Sequence, residues 1–198
     1  NTGREGIDIE VGTTTAGATL NANFVNLDVT NAGTAPSTPN INGIDVDVVG
    51  AGSTAIMTFD NVSSDNNNAG DPDGDGFNFV INNGAFFSAT MSNGTTGSGN
   101  RGEGLSLTAG GAGTVVNLQS IAVIGQPVNS FNGNGSHGVS ILLTPGTNAN
   151  PLVANFDLTA SANNNGGDGI RLVANGDVGG LSGITINNLG ITATNVNV

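Results

Sequence analysis

The sequence predicts an all-β chain wound as a parallel β-solenoid of about six coils, a single domain over residues 1–198. Three observations carry that expectation. A short glycine-anchored segment recurs six times; each copy opens an alternation of apolar and polar residues; and a second segment with a corner-forming asparagine follows most copies. No stretch shows the 3.6-residue period of an amphipathic helix.

The anchored copies are "EGIDIEV" (5–11), "NGIDVDV" (42–48), "DGFNFVI" (75–81), "EGLSLTA" (103–109), "HGVSILL" (137–143) and "DGIRLVA" (168–174). Their glycines, Gly6, Gly43, Gly76, Gly104, Gly138 and Gly169, are spaced by 37, 33, 28, 34 and 31 residues, a loose period that marks a coil. The alternation places Ile7, Ile9, Ile44, Val46, Phe77, Phe79, Leu105, Leu107, Val139, Ile141, Ile170 and Leu172 inward.

The second segment reads "FVNLDV" (24–29), "FDNVSS" (59–64), "LQSIAV" (118–123), "FDLTA" (156–160) and "INNLGI" (186–191), while "FFSATMS" (86–92) fits poorly. Its corner positions are Asn26, Asn61, Ser120 and Asn188. Asparagine tolerates left-handed backbone angles, so it can bend one strand into the next, and stacked copies can form an amide ladder. Each coil thus has three short strands, one tight corner and two looser turns. A β-sandwich would not repeat the same corner chemistry at this spacing.

Composition narrows the function. Fifteen acids against three arginines and no lysine give a net charge of −12. The imbalance comes from missing bases, which excludes nucleic acid and disfavours anionic membrane surfaces. Without lysine there are no Lys–Asn isopeptide cross-links, and without cysteine no disulfides or thiolate metal sites. No apolar run is long enough for a membrane helix. Thirty-three glycines and 31 asparagines suit a secreted or cell-surface chain.

These repeats resemble the right-handed parallel β-helix of the pectin-lyase-like superfamily, and in particular the Gly/Asn-rich repeats, such as "NNGGDGI", of large bacterial surface proteins. The resemblance implies the coil geometry over nearly the whole chain. For function it is open, since that superfamily holds lyases, hydrolases, tailspikes and adhesins.

Three groups of residues carry candidate chemistry. "DPDGDG" places Asp71, Asp73 and Asp75 like the front half of a calcium loop, but Asn82 stands where that loop needs glutamate. Asp75 is also the anchor acid of its coil, in a position suited to accept backbone N–H groups of the turn. In the first two coils, register stacking places Asp8 over Asp45 and Glu10 over Asp47, a two-by-two carboxylate patch that can attract Ca2+. The resemblance adds that pectate lyases hold calcium on this sheet. Arg171 shares the outward column three coils beyond Asp45, about 14 Å away, too far to serve as a lyase base.

His137 in "GSHGVSI" looks like a polygalacturonase motif, but the partner elements of that site are absent and His137 is an ordinary anchor. Tryptophan and tyrosine are absent, so no such ring stacks on sugars. The sequons at Asn61, Asn93 and Asn134 are what chance provides in this composition. Threonines do not recur coil by coil as an ice-binding face requires.

The expected function is a structural or adhesive extracellular module of a surface protein or filament, without enzymatic activity. Its partners would be flanking repeats or other copies stacked end to end, as a segment of a longer array or a filament subunit, with surface carbohydrate as a further partner. The alternative is a carbohydrate-active β-helix or a carbohydrate-binding module.

Overall fold

The computed structural model describes residues 5–12, 17–32, 41–67, 74–147, 149–175 and 183–194. These residues form strands β1 (Ile7–Val11), β2 (Thr19–Val25), β3 (Asp28–Thr30), β4 (Ile44–Val49), β5 (Thr54–Asp60), β6 (Ser63–Asp65) and β7 (Phe77–Asn82). They continue with β8 (Phe86–Ser92), β9 (Leu105–Gly110), β10 (Val115–Ser120), β11 (Val139–Leu143), β12 (Leu152–Ser161), β13 (Ile170–Ala174) and β14 (Ile184–Thr194). No helix occurs among the described residues, hence none long and apolar enough to cross a membrane.

The strands stack as a parallel β-solenoid. One sheet runs β1-β4-β7-β9-β11-β13 and a second β2-β5-β8-β10-β12-β14, each six strands deep. A narrow third face begins with β3-β6 and continues through parallel bridges from Ser63 to Thr96, Ser130 and Ser161. All named strand pairs are parallel.

The first sheet has the register read from the anchors: Ile7, Ile44, Phe77, Leu105, Val139 and Ile170 form one inward column, and Ile9, Val46, Phe79, Leu107, Ile141 and Leu172 the next. The members from β4 to β11 are fully buried, while Ile7, Ile9, Ile170 and Leu172 are half-buried against the same core. Along one column of the second sheet Phe24 stacks on Phe59 at 5.2 Å between centroids, and across the interior Phe79 lies 5.1 Å from Phe87. Each such buried apolar side chain contributes about 1.5–3 kcal/mol. The anchor glycines stand where the third face meets the first sheet. A Cβ on Gly43 would lie 2.0 Å from Ser64 Oγ, so only glycine lets the two walls close.

The second sheet corrects the sequence alignment in its later strands. Phe24 and Phe59 are in register with Met91, then Ser120, Leu158 and Ile191, so Leu118, Phe156 and Ile186 are not their equivalents. Ser120 faces the core, fully buried, and Asn188 lies within β14, so neither is a corner. Asn93, in the unit that fitted poorly, is the third corner, with φ 56° beside 52° at Asn26 and 54° at Asn61. At Leu118 and Phe156 the mismatch arose because a two-residue slip keeps every side chain on its own face, leaving the alternation unchanged. At Ile186 the offset is five residues, across a register irregularity between Ala154 and Asn155. The fifth strand needs no corner: β12 runs straight through to Ser161 on the third face.

Candidate functional site

The four predicted carboxylates on the first sheet come together. Asp8 pairs with Asp45 and Glu10 with Asp47 in parallel register, all pointing outward. The column of Asp8 and Asp45 continues through Asn78, Ser106 and Ser140 to Arg171. Arg171 is therefore four strands beyond Asp45, about 19 Å at the strand spacing, not three. A cation there cannot offset the patch.

Asp45 is half-buried, and Asn78 Nδ2 donates to its Oδ1 at 2.9 Å. Burial raises its pKa, opposed by hydrogen bonds from Asn78 and Asn42 and reinforced by Glu5 and Asp8. Burial also raises the pKa of Asp47, with Asp45, Glu10 and Asp8 adding to it. Among the described residues no three His, Cys, Asp or Glu side chains converge as ligands of one metal ion. The donor set thus fits calcium only in part: it is a concentrated anionic surface without a built coordination shell.

Asp75 is not part of that surface. Asp71 and Asp73 lie outside the described residues, whereas Asp75 is 7% exposed and belongs to the anchor column. Four of the anchor side chains there accept from the following coil. Asn42 Oδ1 accepts the Asp75 N–H, Asp75 Oδ1 the Glu103 N–H at 2.7 Å, and His137 Nδ1 the Asp168 N–H at 2.8 Å. Glu103 instead accepts from the Ser136 hydroxyl. His137 Nδ1 also lies 3.4 Å from Asp168 Oδ2, but a nitrogen accepting the backbone proton has none to donate, so this contact is no ion pair.

The Asp75 carboxyl is pushed up to about 9, first by burial and then by its hydrogen bond to the neighbouring Glu103 carboxylate and that group's charge. Burial and the neighbouring Glu103 carboxylate thus favour the protonated form of Asp75, which can donate to Glu103.

A second column escaped the sequence reading. Asn67 N–H donates to Asn100 Oδ1, Asn100 N–H to Asn134 Oδ1, and Asn134 N–H to Asn165 Oδ1, each at 2.9 Å. Ala32 N–H donates to Asn67 Oδ1, and Asn100 Nδ2 to Ser64 O. Each rung follows a left-handed residue: Asn31, Asn66, Gly99, Gly133 or Asn164. The recurring pairs "NN" (66–67), "GN" (99–100), "GN" (133–134) and "NN" (164–165) were the available signal. Asn134, one of the sequon residues, is buried in this ladder.

The first corner makes a weaker ladder: Asn61 Nδ2 donates to Asn26 Oδ1 at 2.8 Å, while Asn93 Nδ2 turns to Asp60 Oδ1. Together these features define the class, a three-faced parallel β-solenoid cross-linked from coil to coil by buried side chains. No protein-family model, no characterised protein and no solved structure matches the chain, so the class rests on geometry alone.

Proposed function

We propose that the chain is a structural or adhesive module of an extracellular surface protein or filament, a stiff scaffold that acts by display and contact. The supporting observation is the use of its polar side chains. The Asn67–Asn100–Asn134–Asn165 ladder and the anchor column tie coil to coil, so these polar groups are engaged in holding the stack. End-to-end partners fit the same reading. Leu189 and Ile191 of β14 are in register with buried Phe156 and Leu158 yet are about half exposed, and a further paired strand would cover them.

A second reading, a carbohydrate-active β-helix, draws on Asp8, Glu10, Asp45 and Asp47, where crowded carboxylates with raised pKa at Asp45 and Asp47 could supply an acid. A turnover assay on neutral polysaccharides and polyuronates, with and without calcium, separates the two. The scaffold reading expects no new reducing ends or unsaturated products. Turnover that is lost in Asp45→Asn would overturn it.

A further inference from the structure

The fourth coil departs from the repeat at one place. Where the second and third coils turn directly at Asn61 and Asn93, residues 121–128, "IAVIGQPV", leave the end of β10 as a loop. Its neck is pinned. Buried Asn129 donates through Nδ2 to Met91 O and Ser120 Oγ, both at 2.9 Å, and accepts the Thr95 N–H at Oδ1. A turn closed by Gln126 N–H to Val123 O shapes the tip. Pro127 lies so close over Gly94 that a Cβ on Gly94 would sit 2.8 Å from it. The loop therefore rests on the asparagine corner of the preceding coils. Insertions into a repeat gather on one face, often the one that binds.

Between loop and corner lies a cavity of about 340 Å³ lined by Val25, Asn26, Asp60, Asn61, Asn93, Gln126 and Pro127. Its floor is polar and incompletely paired. Asn61 gives Nδ2 to Asn26 and Asn93 gives Nδ2 to Asp60 Oδ1, which leaves Asn61 Oδ1, Asn26 Nδ2, Asp60 Oδ2 and the Gln126 amide open. Asn93 Oδ1 is a buried acceptor with no protein donor. Val25 and Pro127 supply an apolar wall.

We propose that this cavity binds a neutral oligosaccharide. No arginine or lysine lines it, so it offers nothing to a phosphate or a uronate carboxylate. Its open groups are donors and acceptors side by side, matching hydroxyls that do both, and the apolar wall suits the C–H face of a sugar ring. A peptide strand is disfavoured because the corner backbone is already paired, Asn26 N–H to Asp60 O and Asn61 N–H to Ser92 O, leaving no edge to extend. The inference rests on the proposed function only in taking the chain to act by contact, and it names the contact.

The test is calorimetry and NMR titration of the full chain with neutral gluco-, galacto- and N-acetylglucosamine oligosaccharides, an oligogalacturonate and an uncharged peptide. Variants are Gln126→Ala, on the exposed loop, and Asn61→Gly, which keeps the left-handed backbone and removes the amide. Asn117→Ala, elsewhere on the same sheet, is the control. At least one neutral oligosaccharide should bind with a dissociation constant of about a millimolar or better. Each lost hydrogen bond should weaken it about three- to tenfold, with Asn117→Ala unchanged and all circular dichroism spectra alike. No neutral binding, neutral binding untouched by both variants, or binding of the oligogalacturonate or peptide alone overturns the proposal. Polysaccharide turnover would overturn the scaffold reading whichever result is obtained here, so the two failures are distinguishable.

Discussion

Replacing Asp75 with asparagine should stabilise the protein at neutral pH. Asp75 is nearly fully buried; its Oδ1 accepts the Glu103 N–H and its protonated oxygen faces the Glu103 carboxylate. An asparagine makes the same contacts, with Oδ1 accepting and Nδ2 donating, and Asn42 already fills the equivalent slot one coil earlier. The wild-type cost is the proton that must be taken up on folding. With a pKa of 3.8 unfolded and about 9 folded, the group costs nothing below pH 3.8. Stability then falls as pH rises toward 9, by up to about 1.4 kcal/mol per unit. At pH 7 the accumulated cost is about 4 kcal/mol, an upper bound because Glu103 shares the proton. Asp75→Asn removes it. Urea unfolding of both proteins from pH 3.5 to 8 should give similar stabilities at the acid end and a gap widening to roughly 2–4 kcal/mol at pH 7. A variant less stable than wild type at pH 7, or two parallel pH profiles, would refute the protonated-acid assignment.

Three other substitutions or additions probe the stack. Asn100→Ala orphans the Asn67 N–H and the Ser64 carbonyl in the interior, and urea denaturation should show a loss of about 2–5 kcal/mol; a loss under 1 kcal/mol would mean the ladder is incidental. Asn61→Ala forces an alanine to φ 54° and should lower stability by about 1–2 kcal/mol, whereas Asn61→Gly should retain most of it in the same assay. Millimolar calcium should ease the repulsion among Asp8, Glu10, Asp45 and Asp47. The expected gain is about 1–2 °C in melting temperature over a sodium chloride control of equal ionic strength, lost in an Asp8→Asn, Asp47→Asn double variant. No gain in the wild type means the four carboxylates hold no cation.

Much of the first sheet was legible because its glycine anchors and its alternation agree on one register. Ile44, Phe77 and Leu105 stack as their shared position after the glycine implied. The carboxylate patch was legible for the same reason. The second sheet was less so: Ser120 occupies the column of Phe24 and Phe59, and a polar residue in a core column disguises the frame. The buried role of Asp75 was hidden because an acid beside a glycine reads equally as a solvated turn; only the convergence of two walls desolvates it. The cavity under residues 121–128 depends on how an insertion folds back, which no periodicity encodes.

The parallel, in-register stack underlies every site described, and spin-label distances test it most directly. The chain has no cysteine, so pairs introduced at outward positions of one column report cleanly. With one label at Asp8→Cys, partners at Asn78→Cys, Ser140→Cys and Arg171→Cys stand two, four and five strands away. Backbone separations of about 10, 19 and 24 Å follow from the strand spacing. The account predicts label distances that rise in that order, the step from Ser140 to Arg171 being about half of the step from Asn78 to Ser140. A distance from Asp8 to Arg171 equal to or shorter than that to Ser140 would contradict the stack.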